Sequence, residues 1–267
     1  MAEIQHLAMC TKNNRRLARF YHYIFGFEEV WNRFQNSPYS FYMSDGYLNL
    51  NCLQIRSGSS YNRIVDGKEI MPEVGINHVG FWVKSVKEIE RRLAALDPPQ
   101  KLVGSPQDGR YEEWRITDPD GSVFEIAEGG WEAGGEKRLP ALKYVGIRTA
   151  NPEKLANFYQ SALPVKEVQR TPLRGAEPSA ILLAAGTTAL GLLKNTSAGK
   201  AGLERVGFQV NRLQEIHERL RKAPPFLYPG EPEINVEKAP RGDPGKSFYL
   251  KDPDGNIVEL SEEGWTV

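Results

Sequence analysis

The amino-acid sequence predicts an α+β fold of four β-α-β-β-β modules, arranged as two related halves. The main observation is an internal repeat: DPDGSVFEIAEGGW at 118–131 returns as DPDGNIVELSEEGW at 252–265, starting 134 residues later. A second pair, RRLARFY at 15–21 and EKLANFY at 153–159, is separated by 138 residues. The small difference between the two offsets is expected if insertions fall in loops, so the chain contains two copies of one unit.

The length of the chain agrees with two domains, since 267 residues accommodate two units of roughly 100–150 residues. The segment EAGGEKRLP is rich in glycine and charge and ends in proline, which is typical of a linker. We therefore expect an N-terminal domain at 1–131, a linker at 132–140 and a C-terminal domain at 141–267. Trp131 and Trp265 end the two copies, and we expect each to pack across the end of its copy.

The first module begins with a strand-like run, IQHLAMCT, and continues with a helix, NNRRLARFYHYIFG at 13–26. Apolar residues with the spacing i, i+3, i+4, i+7 predict the helix, and a glycine predicts its end. The residues with this spacing are Leu17, Phe20, Tyr21 and Ile24, and the glycine is Gly26. Strand-like runs follow at 28–34, 39–45 and 47–55.

The second module repeats the pattern with a strand at 76–84 and a helix at 85–96, for which Ser85 is the expected N-cap. Strand-like runs at 111–118 and 122–128 close it. The DPDG turn joins them, with proline in second place and glycine last, as in a type I turn. Modules three and four begin at LKYVGIRTA and LERVGFQV.

The charge balance favours a small-molecule partner. Lys and Arg total 34, as do Asp and Glu, so no basic excess indicates nucleic acid or an acidic membrane surface. We see no apolar run near 18 residues and no signal-peptide pattern. The two cysteines, Cys10 and Cys52, form no spacing motif, and a reduced, cytoplasmic compartment is expected.

Three polar residues occur in strands where alternation places them among apolar neighbours: His6, His78 and Glu125. A carboxylate in such a position is costly unless it is paired or binds a metal. Two histidines and one carboxylate on different strands can converge if the strands line one curved sheet. This set suits Fe(II) and related divalent ions, and Mn, Ni and Zn accept the same ligand types. Singly, each histidine is equally compatible with an ordinary half-buried position.

The four modules, a histidine opening each of the first two, and a glutamate after DPDGSVF resemble the vicinal oxygen chelate superfamily. That family includes glyoxalase I, extradiol dioxygenases, and fosfomycin- and bleomycin-resistance proteins. The resemblance covers nearly the whole chain and implies a half-open barrel per copy, built from two modules, with a metal inside. It places His6, His78 and Glu125 at the ligand positions. Fe(II) or Mn(II) is the first expectation for the metal, and Zn or Ni is the alternative.

The resemblance implies a metal-dependent enzyme whose small substrate carries vicinal oxygens. The two-domain length and three-ligand set favour an extradiol ring-cleaving dioxygenase. That branch also uses a histidine near the fourth strand, absent here, and a tyrosine ten residues before the glutamate, where this chain has Arg115. A glyoxalase-type lyase or isomerase is the alternative, although Asn49 best matches its further carboxylate. A non-enzymatic binding or resistance protein is a third possibility, and such relatives generally lack the metal triad.

Five further residues are candidates for the site. Glu113 and Tyr42 are candidates for the general base. Arg115 is expected to hold an anionic substrate group, with a surface ion pair to Glu113 as the alternative. Asn49 is expected to form hydrogen bonds in the pocket. Trp82 shares the predicted face of His78 and is expected to line the cavity, which would favour a planar or apolar substrate.

The second copy has Tyr144, Arg205 and Glu259 at the three ligand positions. Because a guanidinium cannot bind a cation, we expect Arg205 to form a salt bridge with Glu259 and the C-terminal copy to be structural. The segment 223–246 has no match of its length in the first copy. It is predicted to be a loop, and a lid or a contact within a homo-oligomer is the alternative.

Overall fold

The computed structural model describes residues 1–30, 38–59, 62–104, 113–129, 131, 138–172, 179–195, 201–225, 227 and 247–265. The strand expected at 28–34 and the linker expected at 132–140 lie only partly within these ranges. Most of the long loop expected at 223–246 falls outside them.

The first copy contains two complete β-α-β-β-β modules, as predicted, with a hairpin of two strands between them. Its elements are β1 (Ala2–Thr11), α1 (Asn14–Phe25), β2 (Glu28–Glu29), β3 (Ser40–Ser44), β4 (Asn49–Gln54), β5 (Arg63–Val65), β6 (Lys68–Ile70), β7 (Gly75–Val83), α2 (Val86–Ala94), β8 (Val103–Gly104), β9 (Trp114–Thr117) and β10 (Val123–Ala127). The inserted hairpin consists of β5 and β6.

The second copy repeats the order of elements. They are β11 (Ala141–Thr149), α3 (Pro152–Ala162), β12 (Lys166–Pro172), β13 (Ser179–Ala185), β14 (Thr188–Lys194), β15 (Gly202–Gln209), α4 (Leu213–Lys222), β16 (Ser247–Lys251) and β17 (Ile257–Ser261). Of the fourth module, the described residues contain the first strand, the helix and the last two strands. None of the helices in the described ranges has the length and apolar character needed to cross a bilayer.

Local sequence explains where the first two helices begin and end. Helix α1 begins after Asn13, whose side chain accepts a hydrogen bond from the backbone N–H of Arg16, and ends at Gly26 in the left-handed region (φ 73°). Helix α2 begins after Ser85, whose hydroxyl accepts from the N–H of Glu88. The predicted stop at Gly26 and the predicted cap at Ser85 are therefore confirmed.

The strands form one large sheet per copy. In the described residues the first copy has eight strands in the order β2-β3-β4-β1-β7-β10-β9-β8, and the second has seven in the order β12-β13-β14-β11-β15-β17-β16. At the centre of the first sheet, β1 and β7 are antiparallel, and each pairs in parallel with the last strand of its own module. The two modules therefore join through their first strands, and the predicted α+β class is confirmed.

The two faces of the first sheet differ in polarity. Side chains on one face enter the hydrophobic core that packs against the helices; Leu7, Met9, Val79, Phe81 and Phe124 are among them. The other face carries a group of buried polar side chains, each at most 2 % exposed: His6, Asn49, Asn51, His78 and Glu125. Because successive side chains of a strand point to opposite faces, these polar side chains gather on one enclosed face of the sheet.

The repeated motifs meet at the contact between the copies. The hydroxyl of Tyr21, on α1, donates to Asp252 Oδ2 at 3.0 Å, and the hydroxyl of Tyr159, on α3, donates to Asp118 Oδ2 at 3.0 Å. Each aspartate opens a DPDG turn, and its Oδ1 accepts backbone N–H groups of the same turn. The helix of each copy thus binds the turn of the other, which gives a physical reason for repeating both motifs.

Replacing Tyr21 with phenylalanine should lower the free energy of unfolding by about 1–3 kcal/mol, because the buried Asp252 carboxylate loses one donor. Tyr159→Phe should have a similar effect. Tyr23→Phe, on the exposed side of α1, is the matched control and should change stability by less than about 0.5 kcal/mol. Urea denaturation at pH 7 measures all three variants. Equal stability of Tyr21→Phe and the control would contradict the role of the reciprocal bonds.

Candidate active site

The three predicted metal ligands occupy two rungs of the first sheet, which are separated by the rung that pairs Leu7 with Val79. In one rung, Gly80 on β7 lies between His6 on β1 and Glu125 on β10. In the other, Ala8 on β1 lies opposite His78 on β7. The small residues Gly80 and Ala8 therefore alternate with the two imidazoles, and the sheet leaves room between the larger side chains.

The structure brings these three side chains together. One ligand atom each from His6, His78 and Glu125 lies within 4.8 Å of the other two. The two imidazole rings have centroids 5.3 Å apart. Among the described residues this is the one group of three or more His, Cys, Asp or Glu side chains with the spacing of a metal site. The convergence predicted from strand alternation is therefore present in the fold.

Each imidazole is oriented by an asparagine. His6 Nδ1 lies 3.0 Å from Asn49 Oδ1, and His78 Nδ1 lies 2.8 Å from Asn77 Oδ1. An amide oxygen only accepts, so each Nδ1 donates to its asparagine and each ring turns its Nε2 toward the interior of the site. Burial, together with the neighbouring His78, lowers the pKa of His6 to about 4. His6 is therefore neutral at pH 7, as a metal ligand must be.

The two carboxylate oxygens of Glu125 have different surroundings. Oε1 accepts a hydrogen bond from Arg115 Nε at 2.9 Å. Oε2 lies 3.1 Å from His78 Nε2, at ion-pair distance. Burial alone would raise the pKa of Glu125, but the adjacent His78 and Arg115 hold this pKa below its usual value. Glu125 is therefore an ionised carboxylate in a buried position.

These atoms fit a divalent cation. The Nε2 atoms of His6 and His78 and the ionised Glu125 Oε2 converge in a buried space. A buried carboxylate between two imidazoles is costly unless a positive charge, from a protonated imidazole or a bound cation, lies beside it. Two imidazoles and one carboxylate with outer hydrogen-bond partners on both histidines are also the typical surroundings of a catalytic metal.

The structure gives three predicted substrate-binding residues different contacts. Arg115 donates to Glu125, and Asn49 accepts from His6, so both support the ligands themselves. Trp82 lies on the face of His78 but about 13 Å further along the strand, and its indole N–H donates to the carbonyl of Glu128 at 2.9 Å. The alternation rule gave the correct face for Trp82, and its lining of the cavity stays a prediction.

The two candidate bases differ in their protonation. Burial raises the pKa of Glu113 to about 7, and the nearby Glu125 adds to the shift. Burial also raises the pKa of Tyr42 far above its usual value, with Glu113 contributing. A phenol with a raised pKa keeps its proton, so Tyr42 can donate a hydrogen bond but is a poor base. Of the two, Glu113 is the group able to exchange a proton near neutral pH.

The contacts of Trp131 with the site were not predicted from the sequence. Its ring stacks on His6 with centroids 5.2 Å apart and an interplanar angle of 11°, and its Nε1–H donates to Glu113 Oε1 at 3.0 Å. Trp265 stacks in the same way on Tyr144, at 4.9 Å and 14°. Each tryptophan therefore packs on the residue at the first ligand position of its own copy. The equivalent positions of Trp131 and Trp265 in the repeat are the sequence signal for this contact.

The corresponding space in the second copy is filled. A Cβ atom at Gly191 would lie 2.3 Å from the Tyr144 hydroxyl oxygen, so the phenol ring occupies the space above this glycine. Arg205 forms an ion pair with the adjacent Glu204, with Nη2 and Oε2 2.8 Å apart. Glu259 is buried nearby, and the ion pair expected between Arg205 and Glu259 stays a prediction. Tyr144 and Arg205 therefore stand where the first copy has imidazoles.

Solved structures share this fold over nearly the whole chain at low sequence identity. The 2,3-dioxygenase LapB from Pseudomonas sp. KL28 has a TM-score of 0.64 at 16% identity, with 98% of this chain and 92% of that chain covered. The Mn(II)-bound glyoxalase from Novosphingobium aromaticivorans has a TM-score of 0.65 at 16% identity, covering 99% and 83%. The 2,2',3-trihydroxybiphenyl 1,2-dioxygenase from Sphingomonas wittichii strain RW1 has a TM-score of 0.64 at 13% identity, covering 99% and 91%.

No curated protein matches the sequence at a significant level. The sequence profile of the Glyoxalase/Bleomycin resistance protein/Dioxygenase superfamily does match, at residues 3–126 and again at 141–260. The two matches coincide with the two copies of the repeat and together cover most of the chain. With the modular fold and the site of the first copy already described, they show that the chain belongs to the Glyoxalase/Bleomycin resistance protein/Dioxygenase superfamily, which is the vicinal oxygen chelate superfamily.

Proposed function

We propose that the protein is a metal-dependent enzyme acting on a small substrate that carries two vicinal oxygens, with His6, His78 and Glu125 as the metal ligands. The observation that supports this most strongly is the convergence of three electron-pair donors within 4.8 Å in a buried space. When bound, a divalent ion would supply Lewis acidity and open positions for two neighbouring substrate oxygens; Fe(II) or Mn(II) is the first candidate and Zn or Ni the alternative.

The remaining side chains of the site prepare these ligands for their role. Asn49 and Asn77 each orient one histidine, and His78 together with Arg115 holds the pKa of Glu125 below its usual value and keeps the carboxylate ionised. Trp131 covers one face of His6 and excludes water from it. Because dedicated partners hold all three ligands, an enzyme is better supported than a protein that only binds or sequesters a small molecule.

The first candidate for the reaction is ring cleavage of the extradiol type. Three protein ligands leave room for dioxygen beside a substrate that binds through two oxygens. Two of the structural neighbours named above are dioxygenases, a likeness that concerns the fold. The chain lacks the additional histidine and tyrosine of that branch, and Arg115 occupies the position of the tyrosine.

The second candidate is a redox-neutral lyase or isomerase of the glyoxalase type, and Glu113 is the observation in its favour. Its pKa of about 7 suits a group that removes a proton from carbon and returns it to a neighbouring atom. Trp131 donates to Oε1 and holds the carboxyl in place, which leaves Oε2 as the oxygen that exchanges the proton. Tyr42, which keeps its own proton, is available as a hydrogen-bond donor.

Metal analysis of the full-length protein, followed by two assays, tests the proposal. We expect one equivalent of divalent metal per chain, removable by chelator. Oxygen uptake by the Fe(II)-loaded protein with a panel of catechols would indicate the dioxygenase. Conversion of the hemithioacetal of methylglyoxal and glutathione by the Mn(II)- or Ni(II)-loaded protein would indicate the isomerase. In the second case Glu113→Gln should lower the rate about 10²–10⁴-fold. A protein that binds no divalent ion and is equally stable with chelator would contradict the proposal.

A further inference from the structure

Asn51 is a buried polar side chain that the ligand set does not use. It lies on β4 and is 0% exposed. Neither its Oδ1 nor its Nδ2 has a hydrogen-bond partner among the described residues. A buried carboxamide with both polar atoms unpaired is unfavourable, because it has lost its hydrogen bonds to water and gained none in exchange. Such a group requires a partner that the described residues do not supply.

The position of Asn51 directs it toward the metal ligands. Asn49 and Asn51 share a face of β4, and they pair across β1 with His6 and Ala8, respectively. Ala8 in turn lies opposite His78. Because Ala8 has only a methyl group, no large side chain of this rung stands between the carboxamide and the imidazole. The unpaired atoms of Asn51 therefore border the space in which we place the substrate.

A third unpaired atom, on Asn49, lies on the same face of β4 as the two of Asn51. Asn49 Oδ1 is used by His6, but Asn49 Nδ2 is buried without a partner among the described residues. On β3, Tyr42 faces Asn51 from the paired strand, and its phenol oxygen lies close to the Asn51 side chain. This side of the site therefore offers two N–H donors and one carbonyl acceptor, and none of these groups is charged.

The opposite side of the site is charged. There Glu125 pairs with Arg115, and the half-buried Glu113 lies near Glu125. A substrate oxygen on the asparagine side meets both donors and an acceptor. A hydroxyl group matches this set, because it accepts from N–H groups and donates to a carbonyl. A carboxylate would accept from the two N–H groups but would face Asn51 Oδ1 without a proton to donate.

We infer that Asn49 and Asn51 together recognise a further hydroxyl group of the substrate, next to the two oxygens that bind the metal. The substrate class is therefore a compound with three adjacent oxygens, such as a trihydroxybenzene or a hydroxylated ketol. This inference rests on the proposed function, since it takes the metal site as the anchor of the first two oxygens. It adds a residue, Asn51, whose role is specificity and not metal binding.

Binding of two matched probes tests the inference without turnover. Catechol and 1,2,3-trihydroxybenzene differ by one hydroxyl group, and the Zn(II)-loaded full-length protein is redox-inert. We expect the trihydroxybenzene to bind about tenfold more tightly, since one or two added hydrogen bonds to buried groups have about this effect. Asn51→Leu, nearly equal in shape, should remove the preference and leave the Zn(II) affinity unchanged. It should also raise the melting temperature of the probe-free protein, because an unpaired buried amide is gone.

The outcomes distinguish a failure of the Asn51 assignment from a failure of the metal site. If the wild-type chain binds Zn(II) but shows no preference for the trihydroxybenzene, the assignment of Asn51 is overturned and the metal site stands. A preference that persists in Asn51→Leu and in Asn51→Ala overturns it as well, and the alanine variant covers the case in which leucine does not fit. If the wild-type chain binds no Zn(II), the proposed function fails and the inference fails with it.

Discussion

His78→Ala should abolish binding of a divalent ion, whereas Glu259→Ala should leave it in place. His78 supplies one of three ligand atoms in the first copy, and its loss leaves His6 and Glu125 as a two-ligand site. Loss of an outer partner of a ligand typically weakens metal binding 10–100-fold, so loss of the ligand itself should exceed about 100-fold. Glu259 stands at the equivalent position of a copy whose space is filled by Tyr144.

Isothermal titration of the chelator-treated full-length proteins with Mn(II) or Zn(II) measures this effect. Circular dichroism should show that both variants are folded, since His78→Ala removes a side chain from a polar space and not from the apolar core. Glu259→Ala should lower the free energy of unfolding, because the buried groups around Glu259 lose a charged partner. Equal metal loss in the two variants would mean that the two copies contribute equally to metal binding.

The modular architecture could be predicted because its determinants are local or repeated. The spacing of apolar residues and the caps at Gly26 and Ser85 gave two helices, and the repeat gave the division into copies. The meaning of the repeat could not be predicted in the same way. Tyr21 and Asp252 are 231 positions apart, and only the packed copies show that the helix of one binds the turn of the other.

The ligand set could be predicted because strand alternation assigns faces. Alternation does not assign distances along a strand, and Trp82 shows the consequence, since it shares a face with His78 but lies far from it. Alternation also fails where the ladder is irregular. Between Ala8 and Met9 the pairing of β1 with β7 shifts register, and Asn77 falls at this irregularity. The role of Asn77 in orienting His78 therefore had no counterpart in the sequence pattern.

Contacts among polar side chains were the least predictable part of the site. Arg115 was expected to bind a substrate anion, because an arginine near a metal suits that role. In the fold its register partner is Glu125, and the ion pair follows from that pairing. Asn51 alternates with apolar residues on a strand-like run, which does not distinguish a paired amide from an unpaired one. Only the packed structure shows that its two polar atoms lack partners.

Gly80→Ala and Gly207→Ala should both destabilise the protein, and only the first should weaken metal binding. A Cβ at Gly80 would lie 2.7 Å from His6 Cβ and 2.8 Å from Trp131 Cη2. A Cβ at Gly207 would lie 2.4 Å from Trp265 Cη2 and approach the residue at the same ligand position of the second copy, Tyr144, to 2.8 Å. Overpacking of this kind typically costs about 1–3 kcal/mol, which urea denaturation of both variants measures.

The two glycine variants differ in the function of the side chain that the added methyl group displaces. At Gly80 the added methyl group must push His6 or Trp131 away, and a metal ligand has to be held within about 0.5 Å of its productive position. We therefore expect Gly80→Ala to lower the affinity for Mn(II) at least about tenfold, while Gly207→Ala, which moves Tyr144 or Trp265, leaves that affinity unchanged. Unchanged affinity in Gly80→Ala would show that the packing of Trp131 on His6 does not position the ligand. In that case the stacking repeated in both copies would serve the fold alone.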